Sequence, residues 1–139
     1  MIAERPTTVP AGAETLEARL AVPAGARLGV VVSHPHPLYG GDMDSPVVAR
    51  IVESCAGRGL ATLRFNFRGV GASTGRHDEG RGEQDDVRAS LARLQEALVL
   101  LELKQPAVAE QRLQYLVETF PQSEESALAR ERLAALRPR

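Results

Sequence analysis

Residues 28–43 read Leu28-Gly29-Val30-Val31-Val32-Ser33-His34-Pro35-His36-Pro37-Leu38-Tyr39-Gly40-Gly41-Asp42-Met43. The Leu28–Val32 run is apolar without interruption and too short for a buried helix. This is how a strand looks when both faces of a parallel sheet cover it. Pro35 and Pro37 forbid any regular continuation, and Gly40-Gly41 supplies a turn. Ser45-Pro46 then reads as an N-cap followed by proline at the first helical position. Val47, Val48, Ile51, Val52 and Cys55 recur at helical spacing, and Gly57 or Gly59 ends that helix. Leu60–Phe67 is a second strand with Leu63, Phe65 and Phe67 on one face. Strand, helix and strand make one parallel crossover unit.

Working outward, Glu14–Val22 alternates: Leu16, Ala18, Leu20 and Val22 on one side, Glu17 and Arg19 on the other. That pattern predicts a half-buried strand, closed by a turn at Pro23-Ala24-Gly25. Arg68–Gly82 is a glycine-rich loop. Of the 12 glycines, 11 precede residue 81, and none follows Gly82. From Glu83 onward the chain is rich in Ala, Leu, Glu, Gln and Arg, which favour helix. Val87, Leu91, Leu94, Leu98 and Leu101 form an amphipathic stripe. Pro106 and Pro121 interrupt the helical pattern, and Ser123 can cap a last helix carrying Leu128, Leu133 and Leu136. The fold class is α/β: a sheet of three or four strands with flanking helices, then an all-helical tail. The division falls at residues 1–94 and 95–139.

The 139 residues are 43% apolar, enough for one modest core. With 17 Lys plus Arg against 18 Asp plus Glu, the formal charge is −1, which offers no field for nucleic acid or an anionic membrane. Aromatics are 4% with no Trp, against a stacking platform for single strands. No apolar run is long enough for a bilayer, and the N-terminus lacks the plan of a secretory signal. A single cysteine, Cys55, excludes a disulfide framework. It lies on an apolar helix stripe and reads as a small buried hydrophobe. A cytoplasmic location is expected, with no nucleic-acid or membrane partner and no cofactor.

Three motifs stand together: Ser33–Met43 after the apolar strand, Arg64-Phe65-Asn66-Phe67-Arg68-Gly69-Val70-Gly71-Ala72-Ser73-Thr74-Gly75, and Gly80-Arg81-Gly82-Glu83-Gln84-Asp85-Asp86 opening a helix. Together they resemble the N-terminal half of the α/β-hydrolase family, near the dienelactone-hydrolase-like esterases, over about residues 14–94. The resemblance implies a twisted, mostly parallel sheet. For intact members it implies ester hydrolysis by a Ser-His-Asp triad. It also places the loop His34–Gly41 beside the active site, where one of its backbone N–H groups helps to form the oxyanion hole. His34, His36, Tyr39, Gly40 and Gly41 are the substrate-binding candidates on this ground.

Gly71-Ala72-Ser73-Thr74-Gly75 matches G-x-S-x-G formally, but the mechanism needs the serine on a sharp strand-to-helix turn. Ser73 comes six residues after Phe67, inside a loop, with the next helix expected only near Glu83. The elbow expected after that helix is absent: Ala97–Leu103 is apolar but is followed by Lys104-Gln105-Pro106. The last Asp is Asp86 and the last His is His77, so nucleophile, acid and His cannot follow in the family's order. No catalytic residue is therefore assigned, and these residues alone are expected to be inactive.

His34 and His36, with Asp42, Asp44 or His77, offer a metal-ligand set, but the flanking prolines favour histidines bonded within their own loop, and no metal site is assigned. Gly69-x-Gly71 and Gly80-x-Gly82 do not follow the dinucleotide fingerprint. Asp85-Asp86 suits the positive end of a helix, and Arg64 and Arg68 suit either an anion or structural ion pairs. Ala97, Ala109 and Pro121 fall twelve apart, and the tail resembles a tetratricopeptide repeat. An ordinary helical hairpin fits it equally. Two alternatives to a hydrolase-like protein stand: a non-catalytic module whose tail binds a protein partner, and a recombined or engineered chain joined near Leu94. The strand at 28–32 lacks a later strand to pair with, so its edge is expected to be covered by the tail or by a second copy in a homodimer.

Overall fold

The computed structural model describes residues 3–103 and 106–136. Four strands form one sheet: β1 (Arg5–Ala11), β2 (Glu14–Ala21), β3 (Gly29–Val32) and β4 (Ala61–Phe65), in the order β1-β2-β4-β3. β1 and β2 form an antiparallel hairpin, β2 and β4 are antiparallel, and β3 and β4 are parallel with Val31 opposite Leu63. The strand not foreseen is β1, because Pro6 and Pro10 speak against a strand. It is an edge strand, and the two prolines share one parity, so both missing N–H groups fall on the same side of it.

Helix α1 (Pro46–Ala56) joins β3 to β4 and lies on one face of the sheet, where Val48 and Val52 pack with Val30 and Val32. The N-cap is Ser45 with Pro46 following, but the serine hydroxyl accepts from Asp42 N–H at 3.3 Å instead of capping the helix. The five-residue apolar stripe expected on this helix is only partly buried. Val47 is 54% and Ile51 42% exposed, because only two short strands lie beneath it.

Helix α2 (Arg81–Glu102) covers the opposite face. Leu94, Ala97 and Leu98 meet Leu16, Leu20, Leu63 and Phe65, all nearly or fully buried. Each of the leucine and phenylalanine side chains contributes about 1.5–3 kcal/mol of burial. A Cβ on Gly29 would come within 2.6 Å of the Leu94 side chain, so the glycine lets α2 settle onto β3. Ala97–Leu103, which imitates a strand in sequence, forms the end of α2 and its C-cap. The helix crosses residue 94 without a break, so the division at 94/95 falls inside one helix.

Helices α3 (Pro106–Thr119) and α4 (Glu124–Leu136) pack on the far side of α2. Leu113, Leu116 and Ala129 close a second core with Ala92 and Val99. The stripe of the tail is therefore buried on α2 and not on the sheet. Ser123 accepts from Ser126 N–H at 3.1 Å, the cap expected for α4. Arg112 ties α3 to α2 through Glu102 at 2.7 and 3.0 Å and Gln95 at 2.7 Å, and it also reaches the Arg27 carbonyl before β3. Pro106, expected to break the helical pattern, is the first residue of α3, while residues 104–105 and 137–139 lie outside the described residues. Among the described residues no helix is long and apolar enough to cross a membrane.

Candidate functional site

The C-terminal ends of β3 and β4 lead into two loops, residues 33–45 and 66–80, which the structure stitches together. His34 is the first stitch. Its Nε2 accepts from Phe67 N–H at 3.1 Å, so its proton sits on Nδ1, 2.7 Å from the Pro35 carbonyl. The ring packs edge-on against Phe67, with centroids 4.9 Å apart, and is 6% exposed. Of the substrate-binding candidates, His34 is thus a brace with no free edge for a ligand.

His36, Tyr39 and Gly40 stand outward. His36 Nδ1 accepts from Leu38 N–H at 3.2 Å and opens a single 3-10 turn, Pro37–Tyr39. Tyr39 is 86% exposed, and its ring centroid is 4.9 Å from that of His36. Gly40 has φ 79° and ends the turn. Gly41 is buried where the Pro35 carbonyl occupies the space a Cβ would need, so no other residue fits there. The N–H groups of Tyr39 and Gly41 both donate to the His36 carbonyl, at 3.1 and 3.2 Å.

His77, offered in the sequence only as one candidate metal ligand beside His34 and His36, stands next to His36. Its ring centroid lies 5.4 Å from that of His36. Its Nδ1 is 2.9 Å from Glu83 Oε1, within ion-pair distance but off the line of a hydrogen bond. Glu83 instead accepts from Asp78 N–H at 2.7 Å and Gly80 N–H at 3.0 Å, pinning the loop to the start of α2. Burial acts to raise the Glu83 pKa, but these backbone donors and the nearby His77 outweigh it and hold the carboxyl below its usual range.

Ser73 lies in the 66–80 loop, and no helix begins at Thr74. Its hydroxyl donates to the Asn66 carbonyl at 2.7 Å and accepts from Glu17 N–H at 2.9 Å, and the residue is 8% exposed. Around it Asn66 accepts from Met43 N–H at 2.8 Å and donates to Glu17 at 2.8 Å, and Glu17 also takes the Ala72 N–H. Glu17, read in sequence as the solvent side of a strand, is therefore the post on which the loop is hung. The signal available was Glu17, Asn66 and Ser73 together, three polar residues on a strand, at a strand end and in a loop, and spacing does not join them.

The two arginines resolve to ion pairs. Arg64 makes a paired contact with Glu4 at 2.9 and 2.7 Å and donates to the Met43 carbonyl at 2.8 Å. Arg68 grips the fully buried Asp86 through its guanidinium at 2.8 Å and its own N–H at 3.0 Å. The hydrogen bond to Asp86 raises the Arg68 pKa above its ordinary value against the opposing effect of burial. Asp86 thus serves a buried pair and not the helix end alone. Asp85 meets Arg88 at 3.2 Å on the surface.

Among the described residues no serine hydroxyl bonds to an imidazole, and no group of three or more His, Cys, Asp or Glu side chains is placed to hold a metal ion. Away from the loops, a cleft of about 660 Å³ runs between the β1–β2 turn (Pro10–Glu14), the N-terminal half of α2 (Asp85, Arg88, Ala89) and the α3–α4 turn (Phe120, Pro121). A second, of about 330 Å³, lies over β1 and β2 beside Met43.

No protein-family model matches the sequence. An uncharacterized protein of Rickettsia prowazekii is 47% identical over 66 residues, which are 48% of this chain and 28% of that protein. An alpha-beta serine hydrolase homologue from Coxiella burnetii superposes with a TM-score of 0.61 at 29% identity, over 76% of this chain and 60% of its own. A putative alpha/beta hydrolase from Agrobacterium tumefaciens gives 0.58 at 29% identity, over 75% and 56%. An α/β serine hydrolase without a lid from Xanthomonas campestris gives 0.56 at 28% identity, over 77% and 57%. The fold is α/β-hydrolase-like, and the chain spans less than two thirds of each of these proteins.

Proposed function

We propose that these 139 residues form a hydrolase-type, esterase-like half-fold that does not hydrolyse esters by itself. The observation carrying this reading is the Ser73 hydroxyl, whose proton goes to the Asn66 carbonyl at 2.7 Å while no histidine contacts it. A serine becomes a nucleophile when a base accepts its proton. Here a backbone carbonyl holds that proton and cannot carry it away. His34 is neutral with both ring nitrogens engaged, and His36 and His77 sit together at the surface loop. His36, Tyr39 and Gly40 form the exposed remnant of the substrate-facing loop, with His34 and Gly41 holding its shape. The test is turnover of a series of p-nitrophenyl esters of increasing acyl length. No rate above buffer is expected, and turnover abolished by Ser73→Ala would overturn the reading.

A second reading is a non-catalytic interaction module using the helical tail, of tetratricopeptide type. The cleft of about 660 Å³ beside the α3–α4 turn favours it, since the tail itself builds one wall. Pull-down with Phe120→Asp as the control tests it: a partner retained equally by this variant would count against the cleft. The proposal of a recombined join near Leu94 concerns the gene, and sequencing downstream DNA for an elbow-encoding stretch decides it. A cytoplasmic location likewise stays a proposal, open to cell fractionation.

A further inference from the structure

We propose that the outer edge of β3 pairs with the same edge of a second copy of this chain, antiparallel and centred on Val30. The Leu28 carbonyl accepts from Ala61 N–H at 3.0 Å, so Leu28 addresses β4. Backbone groups alternate along a strand, so Val30 and Val32 also address β4, while Gly29 and Val31 turn their N–H and C=O groups outward. Among the described residues nothing meets those outward groups, and β3 is the last strand of the sheet. The tail packs on α2 and reaches the approach to this edge only at the Arg27 carbonyl, which Arg112 meets, so the Gly29 and Val31 backbone groups keep no partner among the described residues.

The edge has none of the usual guards. Gly29–Val32 contains no charge, proline or bulge. Apolar surface continues beside it: Leu28 is 69% exposed, and Val47 on α1 is 54% exposed. The choice of occupant follows from symmetry. The outward residues Gly29 and Val31 lie evenly on either side of Val30. A two-fold axis at Val30 therefore sets Gly29 opposite Val31 of the second copy, and each pair exchanges N–H···O bonds both ways. Leu28 then lies opposite Val32 of the second copy, on the α1 face, which covers its exposed side chain. A formal charge of −1 raises little opposition between copies.

The experiment is sedimentation equilibrium of the full chain over a range of concentrations, with amide exchange read at Gly29 and Val31. A concentration-dependent dimer is expected, with slower exchange at these two amides as it fills. Val30→Lys or Val30→Glu alone places like charges directly across the axis, and the dissociation constant should rise on the order of tenfold or more. Mixing the two variants should restore the dimer as a heterodimer. Leu28→Glu, at a side chain already in solvent, weakens the dimer without touching the monomer fold, which circular dichroism checks. A monomer at every concentration overturns the proposal. So does a dimer indifferent to all three substitutions, or one that leaves exchange at Gly29 and Val31 unchanged.

Discussion

Replacing Ser73 by alanine separates a structural hydroxyl from a catalytic one. The hydroxyl makes two hydrogen bonds, to the Asn66 carbonyl at 2.7 Å and from Glu17 N–H at 2.9 Å. Both are to backbone groups, one within β2 and one just past the end of β4, and the residue is 8% exposed. A buried group left without its partner costs about 1–3 kcal/mol. Two such groups, partly relieved by water at this shallow depth, give about 2–4 kcal/mol for Ser73→Ala. In a domain of this size that lowers Tm by about 10 °C. Urea denaturation followed by circular dichroism reads the change, since the chain has no Trp. Asn66 and Glu17 also hold Met43 and Ala72, so exchange at those amides should quicken as well. A variant as stable as the parent, with ester turnover lost, would mark the Ser73 hydroxyl as catalytic and not structural.

Asp86→Ala leaves the Arg68 guanidinium and N–H without their carboxylate and should cost about 3–5 kcal/mol, read in the same denaturation experiment. Thr62 is fully buried and its hydroxyl has no partner, so Thr62→Val should stabilise the fold by about 1 kcal/mol. Glu83 and Glu125 should pull stability in opposite directions with pH. The folded Glu83 pKa is lowered, so its contribution is present above the ordinary carboxylate range and lost as pH falls through the folded value. The Glu125 pKa is raised, first by burial and then by Glu96, so its contribution is full below the ordinary range and lost as pH rises. Glu83→Gln should therefore flatten the acid limb of a stability–pH profile, and Glu125→Gln should stabilise the protein near neutrality.

The parallel unit was legible because its signals are local. The Leu28–Val32 run, Ser45-Pro46 and the alternation through Phe65 each follow from the period of one element. β1 was not, since its prolines are tolerated only because of where the strand sits in the sheet. Val47 and Ile51 were expected inside, but helical spacing fixes a stripe and not the width of the sheet beneath it. The loop contacts were the least legible. His34, Glu17 and Asp86 each meet a partner far along the chain, Phe67, Asn66 and Arg68 respectively, and no spacing rule joins such pairs. The formal G-x-S-x-G match is the converse case: a local pattern whose meaning depends on the strand and helix that do not flank it here.

A fluorophosphonate ester, which forms a stable bond only with an activated hydroxyl, reports directly on whether any serine of this chain is armed. Intact-mass measurement after long incubation should return the unmodified mass of the chain. A single adduct, mapped by peptide mass to Ser73, would show an armed nucleophile in the 66–80 loop.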